Sequence, residues 1–245
     1  MAKADKAMSL LDHFNELRRR LLVCVLVFCV ASVICFIWAG PVLEYITRGV
    51  TLIYIRPPEA MLAHLRVAFT AGLAVSCPLL FYQLIAFLLP ALTEREKKVV
   101  VAAACMMFLL FCAGVLFAWF VAFPFAVNFF AGFAGPRLLP YYTVGDYVGF
   151  VTGFLLGFGL VFQLPLLFWI LGALGLVSAR FLRSSRKYAL ILILIVAAVV
   201  TPPDVVSQVL MAIPMLALYE LGIILVATTE RARRKRMQED GKAAP

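Results

Sequence analysis

The stretch RRRLLVCVLVFCVASVICFIWA, residues 18–39, places three arginines directly before a run of 19 predominantly apolar residues. That length is close to the ~20 residues that a helix needs to cross a bilayer. It exceeds the roughly 7–15 apolar residues of a secretory signal, and no small-x-small cleavage site follows it before Pro41. We therefore expect a membrane-spanning helix that the protein retains.

The rest of the chain repeats this alternation of apolar runs and short charged segments. Of its 245 residues, 64% are hydrophobic and 14% are charged, whereas a typical soluble domain carries about 25% charged residues. The sequence predicts an all-α polytopic membrane protein, because its mean hydropathy is +1.02. Its six predicted transmembrane helices are residues 21–39, 67–89, 99–123, 147–171, 188–201 and 205–226.

The fifth and sixth predicted helices form a short hairpin, because only the four residues TPPD, 201–204, separate them. The fifth run is too short to cross the bilayer even without tilt. It must therefore thin the bilayer or pack against its neighbours. We expect one integral membrane domain over residues 1–228 and a basic cytoplasmic tail without ordered structure over residues 229–245.

The distribution of Lys and Arg orients these helices. Eighteen of the 22 basic residues lie in four clusters: at the N-terminus, between the second and third helices, between the fourth and fifth, and after the sixth. Because cytoplasmic loops are enriched in Lys and Arg, both termini are predicted to be cytoplasmic. The first loop on the far side, residues 40–66, contains three prolines and then a helical pattern. We expect it to form a structured cap, partly extended and partly helical.

No pattern in the sequence indicates catalysis, a metal or a cofactor. The six cysteines lie within apolar runs without metal-ligand spacing, and HExxH and GxSxG motifs are absent. The net charge of +9 does not indicate a nucleic-acid partner, because the basic residues flank apolar runs and no nucleic-acid-binding motif accompanies them. We expect a protein that is not an enzyme.

Two carboxylates lie at the predicted cytoplasmic surface. Residues 9–20 have an amphipathic pattern, which predicts an interfacial helix that continues into the first span. Within it, Glu16 precedes Arg20 by four residues, the spacing of an ordinary helical ion pair. After the second span, Glu96 follows Thr93 at capping-box spacing. Alternatively, two carboxylates on one rim could bind guanidinium groups bidentately and so recognise a ligand with adjacent arginines.

Further polar residues lie within or beside the spans. Gln163 precedes Pro165 past the middle of the fourth span, where a bend at the proline could open a polar pocket. The alternative is a structural hydrogen bond between helices, worth ~0.6 kcal/mol. Asp204 is placed to be the N-cap of the sixth helix, and Gln208 lies one turn further on.

These stretches together resemble the TatC family, whose members are the multispanning subunit of the twin-arginine protein translocase. The resemblance covers about residues 8–228 and rests on six stretches in order. They are HFNELRRRLL (13–22), RPPEA (56–60), FLLPAL (87–92), EKK (96–98), FQLP (162–165) and TPPDVVSQ (201–208).

The resemblance implies a function. Proteins of this family bind the paired arginines of a signal peptide on folded cargo at the cytoplasmic face of the bacterial inner membrane. They then assemble with the single-span subunits TatA and TatB, and with further copies of themselves, for export driven by the proton-motive force. Glu16 and Glu96 match the family's two signal-recognising carboxylates. The neighbouring candidates for contact with the signal peptide are His13, Leu17, Arg18, Arg20, Phe87 and Glu94.

The resemblance also implies a region that docks the partner subunits, formed by the fifth and sixth helices. The candidate polar and turn residues for this role are Gln163, Pro165, Thr201, Pro202, Asp204 and Gln208. Many relatives carry Glu where Gln163 stands, and an amide can form hydrogen bonds but cannot titrate. The alternative function is a small-molecule secondary transporter with a polar site at the membrane midplane. Gln163 beside Pro165 offers one such point, but the second half of the sequence has no counterpart.

Overall fold

The computed structural model describes residues 10–88, 94–133, 141–173, 175–200 and 205–243; the side chains of 10–12, 88, 94–102, 200 and 233–243 are outside the description. Contacts divide the chain into two compact units, Met1–Leu109 and Leu110–Pro245, and one integral membrane domain over residues 1–228 stays a prediction.

Long helices dominate the first unit because its apolar runs must satisfy their backbone hydrogen bonds internally. Its elements are α1 (Leu10–Ile37), α2 (Ala39–Ile46), the short strand β1 (Leu52–Ile53) and α3 (Glu59–Leu88). The predicted interfacial segment and the first span are one continuous helix, α1. The carboxylate of Glu59 accepts the backbone N–H groups of Ile55 and Arg56 at 3.0 and 3.4 Å, which fixes the chain entering α3.

Helices α1 and α3 pack closely where both carry small residues. A Cβ atom placed on Gly72 of α3 would lie 2.6 Å from the Cα atom of Ser32 in α1. Small residues allow this approach, which in a membrane replaces the hydrophobic force that holds soluble helices together. Ala63, Val67 and Ala68 of α3 are buried.

Helix α4 (Glu94–Phe117) runs across the boundary between the two units. The second unit contains the remaining elements. They are a π-helical segment (Ala118–Ala122), α5 (Phe123–Ala131), the strand β2 (Tyr142–Thr143), α6 (Val144–Val161), α7 (Leu164–Ala173), α8 (Ala179–Ser184), α9 (Arg186–Val200) and α10 (Val205–Ala243). Its core includes Phe111, Phe154 and Phe158, which are fully buried.

The third predicted span ends earlier than the observed helix, and the fourth is interrupted in the structure. Pro124 does not end the third helix, since the π-helical segment directly before it absorbs the irregularity and α5 continues to Ala131. The fourth is broken between Val161 and Leu164. Pro165 explains the break, because it has no N–H and its ring clashes with the carbonyl group four residues earlier.

Helix α10 extends through most of the segment for which the sequence predicts no ordered structure, residues 229–245, and ends at Ala243. The segment contains four Arg, three Ala, two Lys and two Glu, which are good helix formers, and its first proline is Pro245.

Among the described residues, five helical stretches are long and apolar enough to cross a membrane. They are His13–Ile37, Glu59–Phe87, Ala103–Ala131, Val144–Ala173 and Val205–Ala232. The run predicted as the fifth span is α9, whose 15 residues extend about 22 Å. The side-chain amide of Gln208 in α10 donates to the backbone carbonyl of Leu194 in α9 at 3.0 Å, so the two helices of the predicted hairpin contact each other.

Candidate functional site

A carboxylate site lies at one end of the α1–α3 pair. Glu16 and Arg20 of α1 form the ion pair that their spacing indicates, and their side chains are 21% and 25% exposed. The Arg20 Nε and Nη2 groups both donate to Glu16 Oε1, at 2.9 and 2.6 Å. The second oxygen of the carboxylate, Oε2, is buried and has no hydrogen-bond partner among the described residues.

Gln83 of α3 completes this arrangement, and the sequence analysis did not identify it. The third donor of Arg20, Nη1, donates to Gln83 Oε1 at 2.9 Å across a separation of 63 residues. One signal in the sequence could have indicated it. Gln83 is the one side-chain amide in the apolar run 67–89, and it lies near the predicted cytoplasmic end of this run.

An aromatic contact lies beside the carboxylate. The rings of His13 and Phe87 stack, with their centroids 4.5 Å apart and an angle of 18° between their planes. Two residues that are 74 positions apart in sequence, and that were both predicted to contact a ligand, therefore meet. Together with Glu16 and Arg20 they form one cluster, which we call the α1–α3 carboxylate site: His13, Glu16, Arg20, Gln83 and Phe87.

The face of α1 next to this site is mostly apolar and exposed. Phe14, Leu17 and Leu21 are all exposed, and so is Arg18. Leu17 and Arg18 therefore do not join the α1–α3 carboxylate site but lie on the outer surface of the same helical turn. Arg20 contacts α3, whereas Phe14, Leu17 and Leu21 are exposed on another face, which fits the predicted amphipathic helix.

The second predicted carboxylate lies in the first turn of α4. Glu94 is the first residue of this helix and Glu96 is the third. Their side chains lie outside the described residues, as does Thr93, so the predicted capping box and any approach to Glu16 stay predictions. A position in the first turn suits carboxylates because it is the positive end of the helix dipole.

Gln163 lies at the break between α6 and α7 and is only 8% exposed. Its side-chain Nε2 donates to the carbonyl group of Gly159 at 3.3 Å, in the last turn of α6. Pro165 is also buried. This local bond lets the amide satisfy a carbonyl group at the helix end, whereas a hydrogen bond from Gln163 to another helix stays a prediction.

The α9–α10 pair carries polar contacts at its other end as well. Arg186 Nη2 donates to Glu220 Oε2 at 2.7 Å, and the Tyr219 hydroxyl donates to the carbonyl of Leu182 at 2.7 Å. The turn residues Thr201, Pro202 and Asp204 lie outside the described residues. The predicted N-cap therefore stays a prediction, whereas Gln208 has the contact with Leu194 given above.

Metal coordination has no visible basis in the part of the chain that the structure describes. There, no three His, Cys, Asp or Glu side chains are grouped closely enough to hold an ion. The six cysteines are free thiols.

Comparison with known proteins identifies the family. Residues 12–214 match the family model "Sec-independent protein translocase protein (TatC)". A TatC protein of Carboxydothermus hydrogenoformans is 37% identical over 227 residues, which cover 90% of this chain and 93% of the relative. TatCy of Bacillus subtilis is 34% identical, with 95% and 94% of the two chains covered.

A solved structure has the same fold. The "Twin Arginine Translocase Receptor- TatC" crystal structure superimposes with a TM-score of 0.81 at 33% identity, and the match covers 89% of this chain and 99% of that one. The family resemblance drawn from the six sequence stretches is thus confirmed. The chain belongs to the TatC family and is a multi-span membrane component of the Sec-independent, twin-arginine protein translocase.

Proposed function

We propose that this chain binds the paired arginines of a twin-arginine signal peptide at the α1–α3 carboxylate site. The observation that carries the proposal is the state of the Glu16 carboxylate. One oxygen holds two donors from Arg20, and the other is buried without a partner among the described residues. A buried carboxylate oxygen without a donor is costly, and a guanidinium group from a ligand would relieve that cost with a charge-assisted hydrogen bond.

Acceptor number indicates why one carboxylate is insufficient. Arg20 already occupies one oxygen of Glu16, so a pair of arginines needs further acceptors. Glu94 and Glu96 at the start of α4 can supply two more carboxylates, although Arg95, Lys97 and Lys98 give residues 94–98 a net charge of +1. We therefore propose that the signal peptide lies between the carboxylate of Glu16 and these two residues, with Leu17 offering an exposed apolar contact to the segment beside the arginines.

The proposed membrane arrangement has six spans, with both termini in the cytoplasm of a bacterial cell and α9 as a short fifth span. The positive-inside distribution of 18 basic residues supports this orientation. Residues 40–66 would then form a cap on the periplasmic face. Their observed elements, α2 and β1, agree with the mixed helical and extended character expected of it.

A signal-peptide crosslinking experiment tests the function. A photo-crosslinkable peptide with Arg-Arg should label membranes that contain this protein much more strongly than its Lys-Lys counterpart, because only a guanidinium group offers a planar fork of donors. The labelled residues should include the first turns of α1 and the segment around Glu96. Equal labelling by both peptides would contradict the assignment and would return a small-molecule transporter to consideration.

We also propose that the α9–α10 hairpin docks single-span partners of the TatA and TatB type, with Gln208 and the turn of Thr201, Pro202 and Asp204 as its polar elements. The shortness of α9 supports this role. A helix of about 22 Å is shorter than the hydrocarbon core of the bilayer, and a helix that is too short can relieve this mismatch by associating with neighbouring spans. Assembly with partners and with further copies of this chain would then permit export of folded cargo driven by the proton-motive force.

The buried position of Gln163 gives a prediction about docking. Gln163→Leu is expected to lower the thermal stability of the protein by removing the bond to Gly159, yet to leave copurification of the single-span partners undiminished. Gln208→Leu is the matched variant, because it also removes one amide but lies on the hairpin, and it should reduce copurification. Loss of the partners from Gln163→Leu, at unchanged thermal stability, would assign Gln163 a direct docking role.

A further inference from the structure

The pairing of Arg20 with Glu16 departs from the arrangement that a guanidinium group and a carboxylate usually adopt. In the common fork, two parallel N–H groups each donate to a different oxygen. Here Nε and Nη2 both donate to Oε1. The remaining oxygen is left buried and without a donor among the described residues, although a guanidinium group is within reach of it.

The contact with α3 explains this departure. Arg20 Nη1 donates to Gln83 Oε1 at 2.9 Å. Because the guanidinium group is planar and rigid, fixing Nη1 on α3 also fixes the rotation of the other two donors. Gln83 is a neutral acceptor, so it orients Arg20 without taking it away from Glu16. A second carboxylate at this position would compete with Glu16 for the same cation.

We propose that Gln83 is a positioning residue for signal-peptide recognition. By holding Arg20 on a single oxygen of Glu16, it leaves Oε2 without an internal donor, so that an arginine of the ligand that displaces the groups covering this buried oxygen can donate to it. Without this contact, Arg20 would turn into the two-oxygen fork and occupy the acceptor that the ligand needs. The inference rests on the proposed function, and it adds that an arginine within the protein competes for the site and that α3 controls the competition.

Two substitutions at Gln83 separate this role from simple packing. Gln83→Met preserves the length of the side chain but removes the acceptor, and it should weaken binding of an Arg-Arg signal peptide roughly tenfold, the effect of about one net hydrogen bond. Gln83→Glu preserves the acceptor and adds a charge that draws Arg20 towards α3, and it should strengthen binding. A packing role would make both variants weaker.

The measurement is the equilibrium affinity of the full-length protein in nanodiscs for fluorescent Arg-Arg and Lys-Lys signal peptides. Arg20→Gln provides the coupling test, because Gln83→Met should have no effect on affinity once Arg20 is absent. Persistence of the tenfold loss in the Arg20→Gln background would overturn the inference. So would weaker or unchanged binding by Gln83→Glu, a result that remains informative if Gln83→Met does not fold.

The outcomes distinguish this inference from the function on which it rests. If the unmodified protein binds the Arg-Arg and Lys-Lys peptides equally, the proposed function fails. If it prefers the Arg-Arg peptide and needs Glu16, but Gln83→Met and Gln83→Glu both bind normally, only the positioning role of Gln83 fails.

Discussion

Replacing Glu16 by Gln is expected to weaken binding of an Arg-Arg signal peptide by about 10- to 100-fold. The estimate follows from the loss of one charge-assisted hydrogen bond, which contributes roughly 1.5–3 kcal/mol. The substitution preserves the shape of the side chain and leaves one carbonyl oxygen that can still accept from Arg20. The expected loss therefore comes from the charge and from the second acceptor, Oε2.

The affinity should be measured by titration of a labelled signal peptide against the purified protein in nanodiscs. Glu44→Gln is the matched control, since Glu44 is an exposed carboxylate on α2 in the same unit and its replacement should leave the affinity unchanged. Because Arg20 is only partly exposed and would lose its charged partner, a thermal unfolding curve must show that Glu16→Gln remains folded. A folded variant with normal affinity would contradict the role of Glu16.

Glu96 extends the same prediction to export in cells. Glu96→Gln should also reduce binding, and the double variant with Glu16→Gln should fail to export a twin-arginine reporter protein. If the two carboxylates contact different arginines of one ligand, their effects on the binding free energy should add approximately. Normal export by the double variant would show that the paired carboxylates do not recognise the cargo.

The long helices and the ion pair of Glu16 with Arg20 could be predicted from the sequence, because local patterns determine them. The length of the apolar runs indicated the long helices, and the i,i+4 spacing indicated the bond between Glu16 and Arg20. The proline at 165 indicated the break in the fourth span. In each case the determining residues lie within a few positions of one another, so a single helix or turn contains the whole signal.

The features that could not be predicted depend on contacts between distant residues. The bond from Arg20 to Gln83 joins two helices, and no pattern in either helix specifies which polar residues face each other. Likewise, Pro124 by itself predicts the end of a helix. The helix continues because the backbone directly before the proline adopts a π-helical conformation, which the sequence pattern does not reveal. The identity of Gln83 as a functional candidate thus required the structure.

The tight contact between α1 and α3 yields the second large effect: Gly72→Ala is expected to destabilise the first unit by about 1–3 kcal/mol, the range for overpacking a well-packed interior. The added Cβ atom would lie 2.6 and 2.7 Å from the Cα and N atoms of Ser32. Since these are backbone atoms, no side-chain rotation can relieve the contact. Helix α1 would have to move away from α3 as a body.

The same movement should reach the α1–α3 carboxylate site, because Arg20 and Gln83 form their bond across this helix pair. We therefore expect Gly72→Ala to lower both the midpoint of thermal unfolding and the affinity for the signal peptide. Gly40→Ala is the matched control: no atom lies within 4 Å of its added Cβ, and in helix α2 alanine should be neutral or stabilising. Ser32→Ala should not rescue Gly72→Ala, as the backbone contacts remain. Unchanged stability of Gly72→Ala would mean that α1 and α3 are less closely apposed, and then the Arg20–Gln83 bond would lose its structural basis.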